Sequence, residues 1–137
     1  MTDLPDWSQP APMVVTARFV VPLATAEEFV RELRDVVDLV GGMPGCVSIG
    51  LGRATDDPTL WSLTSLWEAV GDYRRALSSF EVKVRAVPLL SQAIDEPAAF
   101  EILYGRRGAV VHSASSARAM DADTAGPGDR LAPGAPR

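Results

Sequence analysis

Residues 13–53 read MVVTARFVVPLATAEEFVRELRDVVDLVGGMPGCVSIGLGR, and the changes of pattern within them decide the fold. Met13–Pro22 is β-branched and apolar and ends on a proline, so it predicts a strand. Thr25-Ala26-Glu27-Glu28 has the form of a capping box. The threonine oxygen is offered to an orphan backbone N–H, and the glutamate three residues on reaches back. Phe29, Leu33, Val36, Val37 and Val40 then recur at helical spacing, with Arg31, Glu32, Arg34, Asp35 and Asp38 on the other side. Gly41-Gly42 stops that helix and Pro44-Gly45 turns the chain. Cys46–Arg53 alternates again and predicts a strand with Val47, Ile49 and Leu51 on one face. Gly50 and Gly52 leave its other face bare, open to a close approach.

Beyond this unit, Thr55–Thr59 is a hairpin connection and Leu60–Glu68 (LWSLTSLWE) is a third strand. Val70, Tyr73, Leu77, Phe80, Val84 and Val87 repeat at three- and four-residue steps and predict a second amphipathic helix, ended or tightened by Pro88. Pro97–Tyr104 (PAAFEILY) is a fourth strand. The order β-α-β-β-α-β predicts an α+β, ferredoxin-like fold with a four-stranded antiparallel sheet. Right-handed crossovers put both helices on one face. Val14, Thr16, Arg18, Val20, Leu60, Ser62, Thr64 and Leu66 fall on the other, uncovered face. An exposed mixed apolar face of that size predicts a homodimer with two-fold symmetry. Arg18 is expected to pair there with Glu68 or Glu101 of the second copy, because a buried unpaired charge is costly.

The same alternation places Trp61, Leu63, Ser65 and Trp67 beside Val15, Ala17 and Phe19 on the helix-covered face, with Phe100, Ile102 and Tyr104 assigned there from the fourth strand. The implied interior is apolar with a few polar tips, as small-molecule pockets are.

Composition narrows the classes. The net charge is −5 and Lys83 is the only lysine, which argues against a nucleic-acid partner. One cysteine (Cys46) and one histidine (His112) cannot assemble a disulfide or the usual zinc site. The N-terminus lacks the pattern of a signal peptide, and no apolar run approaches the roughly 18 residues of a membrane span, so a cytoplasmic protein is expected. Residues 1–12 read as a flexible arm and 13–105 as the domain. Residues 106–137, without an aromatic residue, read as a disordered tail.

Several features together resemble the antibiotic biosynthesis monooxygenase family of dimeric α+β barrels, over about residues 13–104. They are MVVTARFVVP, the helix EEFVRELRDVV, Pro44-Gly45-Cys46-Val47-Ser48, Leu66-Trp67-Glu68 closing strand three, and Tyr73 in the helix beyond. The haem-degrading branch carries an Asn in strand one and an axial His in the second helix. Ala17 stands at the first position and no histidine occupies the second, so that branch is set aside.

The resemblance implies a cofactor-independent monooxygenase acting on a small aromatic, anthrone-, phenol- or quinol-type compound. Trp67 and Tyr73 are its catalytic candidates. Trp61, Leu63, Ser65, Ala17, Phe19 and Arg85 are its substrate-binding candidates. No metal or other cofactor is implied. Leu63 stands where the best-matched pattern has an Asn four residues before the Trp. The alternatives are a non-oxygenase barrel that binds a small ligand or acts as an isomerase or cyclase, and a structural dimer whose cavity its own side chains fill.

Overall fold

The computed structural model describes residues 11–113; residues 1–10 of the expected arm (1–12) and residues 114–137 of the expected tail (106–137) lie outside the described residues. In chain order the first unit, Pro12–Glu101, holds β1 (Met13–Val20), α1 (Ala26–Gly41), β2 (Cys46–Arg53), β3 (Leu60–Trp67), α2 (Val70–Ser78), α3 (Phe80–Arg85), α4 (Val87–Leu90) and β4 (Ala99–Glu101). The strands form one antiparallel sheet in the order β2-β3-β1-β4, the expected ferredoxin-like arrangement.

Register assigns the two faces. Met13 opposes Trp67, Val15 opposes Ser65, Ala17 opposes Leu63 and Phe19 opposes Trp61. All but the half-buried Ala17 are buried. The apolar ones pack with Phe29, Leu33, Val36 and Val40 of α1 into one core. Burial of large apolar side chains at helical and two-residue periods stabilises both elements at once. Between them, Arg18 opposes Ser62 and Thr16 opposes Thr64 on the side the helices leave open, where Val20 is 66% exposed.

The structure departs from the sequence reading at several places. Thr25 does not cap α1. A 3₁₀ turn over Leu23–Thr25 precedes the helix, and both the backbone N–H and the hydroxyl of Thr25 are donated to the Pro22 carbonyl, at 3.0 and 3.2 Å. The hydroxyl faces backward, so the box never closes. A bulge between Cys46 and Ser48 takes Val47 out of the alternation and leaves it exposed, while Ile49 and Leu51 stay against the core.

The second helix is three short ones. Ser79 is extended (φ −68°, ψ 149°), and its hydroxyl accepts a hydrogen bond from the Val82 N–H at 3.3 Å, capping a new helix. The break rotates the apolar stripe. Phe80 (79% exposed), Val84 and Val87 turn outward, and Ala76, Val82, Ala86 and Leu89 are buried instead.

The fourth strand has only three residues. Phe100 opposes Val14 and so lies on the uncovered face, half-exposed, contrary to the alternation expected of it. Ahead of β4 the chain follows the edge of β1 irregularly. Thr16 N–H donates to the Ala98 carbonyl and Ile94 N–H to the Arg18 carbonyl, each at 2.7 Å. Pro97, without an N–H, interrupts any regular ladder there. The segment brings Glu96 to Arg18. Nε and a terminal nitrogen of Arg18 donate to the two carboxylate oxygens at 2.7 and 2.8 Å. Arg18 therefore has an acidic partner within its own chain.

Two turns are set by glycine. Cys46 N–H donates to the Met43 carbonyl at 3.1 Å across Pro44-Gly45, and Gly45 has φ +87°. A Cβ on Gly45 would lie 2.3–2.6 Å from the side chain of Asp72 in α2, so this position excludes any side chain. The second unit begins at Ile102. In it Tyr104–Arg107 (β5) and Val110–Ser113 (β6) pair as a hairpin through Gly108-Ala109, with Gly108 at φ +60°. Residues 106–113 are thus a strand pair, not the expected tail, and Tyr104 belongs to β5. A glycine at the first central position with β-branched Val110-Val111 after it favours such a hairpin.

Candidate active site

The core-facing side of β1 and β3 has two ends. At one, Phe19 and Trp61 flank Phe29 of α1, with ring centroids 5.3 and 5.9 Å from it. These rings fill the space, so neither Phe19 nor Trp61 lines the interior cavity, contrary to the sequence assignment. Edge and tilted contacts of this kind add to the area the rings bury.

At the other end Ala17, Ser65 and Ala76 are too small to fill the space, and a cavity of about 360 Å³ remains. Ala17, Leu63, Ser65 and Trp67 line it from the sheet, and Tyr73, Ala76 and Leu77 from α2. The structure therefore gathers five sequence-predicted residues, Ala17, Leu63, Ser65, Trp67 and Tyr73, around one hollow. Arg85 is not among them. It is exposed on α3 and borders a surface groove with Glu32 and Asp35 of α1. The cause is the break at Ser79, which resets the helical phase beyond it.

Polar groups in the hollow are few and specific. Trp67 is fully buried, and its indole N–H donates to the Ser65 hydroxyl at 2.8 Å. That bond engages the indole donor internally. It also leaves the Ser65 hydroxyl proton free to serve as a donor, since the oxygen accepts from Trp67. The Tyr73 ring lies 5.5 Å from the Trp67 ring at an interplanar angle of 60°. Burial pushes the Tyr73 phenol above its ordinary value near 10, so it is a neutral donor at physiological pH. Among the described residues its hydroxyl has no hydrogen-bond partner. Cys46 is partly buried on the core side, and burial raises its thiol, which favours the neutral form.

Sequence reading missed the segment that borders the cavity after α4. Ala93, Ile94, Asp95, Glu96 and Ala98 all line it. Asp95 is exposed and Glu96 partly so, which marks the side that meets solvent. The available signal was Ala93 and Ala98, too small to fill a core, on either side of an acidic Asp95-Glu96-Pro97 loop. Among the described residues no group of three His, Cys, Asp or Glu is placed to hold a metal ion, and no helix is long and apolar enough to cross a membrane.

The fold recurs in solved structures. SnoaB from Streptomyces nogalater, a cofactor-independent oxygenase, is 23% identical with a TM-score of 0.58, over 72% of this chain and 97% of that one. A conserved protein from Methanosarcina mazei Go1 is 19% identical with a TM-score of 0.57, over 66% of this chain and 92% of that one. No curated protein matches the sequence. The family model for antibiotic biosynthesis monooxygenase matches residues 12–84, which carry β1 through α2 and the paired Ser65 and Trp67, and the chain belongs to that family.

Proposed function

We propose that the protein is a homodimeric, cofactor-independent monooxygenase of a small electron-rich aromatic compound, of anthrone, phenol or quinol type. The observation that carries this reading is the apolar cavity with two neutral hydroxyls, Ser65 and Tyr73, beside the Trp67 ring. A substrate of this class must lose a proton before it can react with oxygen. The site must then exclude water, stack a flat ring and hold donors where negative charge develops. The walls formed by Trp67, Leu63 and Ala17 suit a planar apolar body. Tyr73 and Ser65 supply the donors, and Ser65 takes the polarising place that Leu63 cannot fill.

For an activated methylene, the carbanion adds dioxygen. The resulting peroxide anion takes up the proton lost earlier, and the hydroperoxide so formed eliminates water, leaving a carbonyl. One oxygen atom stays on the product, the other leaves as water, and the substrate supplies all four electrons. The protein positions the anion and protects it from side reactions.

Oxygen uptake by metal-free protein with a panel of anthrones and quinols tests the reading. Uptake is expected, with turnover falling about 10²-fold in Tyr73→Phe as one donor to the developing charge is lost. Tight binding without uptake across the panel would sink it and leave the non-oxygenase, ligand-binding reading. The dimer rests on the uncovered sheet face, where Val20 and Phe100 are exposed. Sedimentation at micromolar concentration checks it, and a monomer there would contradict it.

A further inference from the structure

We propose a second binding site, for a multiply charged oxyanion, in the surface groove between α1 and the connected ends of β2 and β3. The groove is lined by Glu27, Val30, Arg31, Arg34, Arg53 and Trp61, with Ala26 at its edge. Glu27 lies three and four residues before Val30 and Arg31, and Arg34 lies four and three residues after them, so the four form one stripe along α1. Arg53 ends β2 opposite Trp61 of β3, and its guanidinium lies 5.4 Å from the centre of the Trp61 ring.

Two independent features point to a ligand. First, none of the three arginines has an ion-pair partner among the described residues, although the chain as a whole carries a charge of −5. Three guanidinium groups around one depression make a local positive site in an acidic protein. Second, Trp61 is nine-tenths buried and its indole N–H finds no hydrogen-bond partner. A buried donor without an acceptor is an uncommon expense in a folded protein. Trp61 borders this groove and not the interior cavity, so an acceptor for it is to be sought here.

An oxyanion answers both features. Its oxygens take the fork-shaped donors of Arg31, Arg34 and Arg53 and bring an acceptor to the Trp61 side of the groove. Glu27 is the one acidic group in the lining, so the balance favours an anion carrying two or more charges. Val30 supplies an apolar flank for the body attached to the charged head. A phosphoryl group and a polycarboxylate share this chemistry. The site is separate from the cavity around Trp67 and does not depend on the oxygenase reading.

The test follows the indole N–H resonances of the isotope-labelled full chain, with Trp61 assigned by its loss in Trp61→Phe. Inorganic pyrophosphate is titrated in one arm and citrate in another, against sodium chloride at equal ionic strength. The expected result is a saturating shift of the Trp61 resonance with at least one anion, while Trp67 stays still. The stronger arm identifies the head group. Arg31→Gln with Arg34→Gln, both at exposed positions, should weaken binding about tenfold or more. The backbone amide spectrum of that variant checks its fold. A shift that does not saturate, that sodium chloride reproduces, or that the double variant leaves unchanged would overturn the proposal.

Discussion

The two ends of the core-facing side of β1 and β3 are built from the same pair of strands and differ in what fills them. At the Phe19–Trp61 end, Phe29 of α1 closes the space with three interlocking rings. At the Ala17–Trp67 end, Ala17, Ser65, Ala76 and Ala98 are too short to meet across the same gap, and the hollow remains. One end spends its bulk on stability and the other withholds it. Close packing is the default of protein interiors, so a void lined by small residues from β1, β3, α2 and the segment before β4 is a feature of the sequence and not of the fold.

That contrast can be broken most severely at the filled end. Phe29→Ala should lower stability by about 3–5 kcal/mol, because the rings on either side cannot collapse into the gap. Denaturant unfolding measures this, and the surviving folded protein should still bind a cavity ligand. A loss below about 1 kcal/mol would mean that the aromatic end is not tightly packed. Next, Ser65→Ala removes the acceptor of the buried Trp67 N–H and should cost about 1–3 kcal/mol. Ser65→Thr, which restores a hydroxyl, should recover most of it in the same assay. Third, Ala17→Leu fills the hollow. It should leave stability unchanged or raise it by up to about 2 kcal/mol, while ligand binding and oxygen uptake are lost. Retained binding in that variant would separate the hollow from the ligand site.

The smallest effect concerns the loop that borders the hollow. Arg18 holds the Glu96 carboxyl below its ordinary value of 4.5, first through their hydrogen bonds. The unfolded chain therefore binds this proton more readily than the folded one. The contribution is fully present above about pH 4.5 and is lost as the pH falls through the folded value. Both side chains are partly exposed, so salt should shrink it. Acid unfolding of Glu96→Gln against the parent, at low and high salt, checks this. The gap between the two should close toward low pH.

What was legible in the sequence follows the same division. Period-two alternation in β1 and β3 gave the faces correctly, because side chains in a strand have no other choice. It therefore placed Ala17, Leu63, Ser65 and Trp67 together. It could not say that Phe19 and Trp61, on the same face, would be walled off by Phe29, since that depends on the helix crossing above them. The register of the second helix failed beyond Ser79, where a single hydroxyl cap restarted the helix and carried Arg85 outward. The partner of Arg18 was out of reach for another reason. Glu96 lies 78 residues away in an irregular segment with no periodicity to read. Likewise the β5–β6 hairpin was hidden in a stretch whose polar, small-residue composition suggested a tail.

Gly45 gives the contrast a last turn. Its missing side chain leaves the space that Asp72 occupies, and Tyr73 is the next residue along α2. A survey of single substitutions scored only by turnover would flag Gly45 as strongly as a residue in contact with the ligand. Its influence would come from pushing the start of α2, and the phenol with it, off its mark.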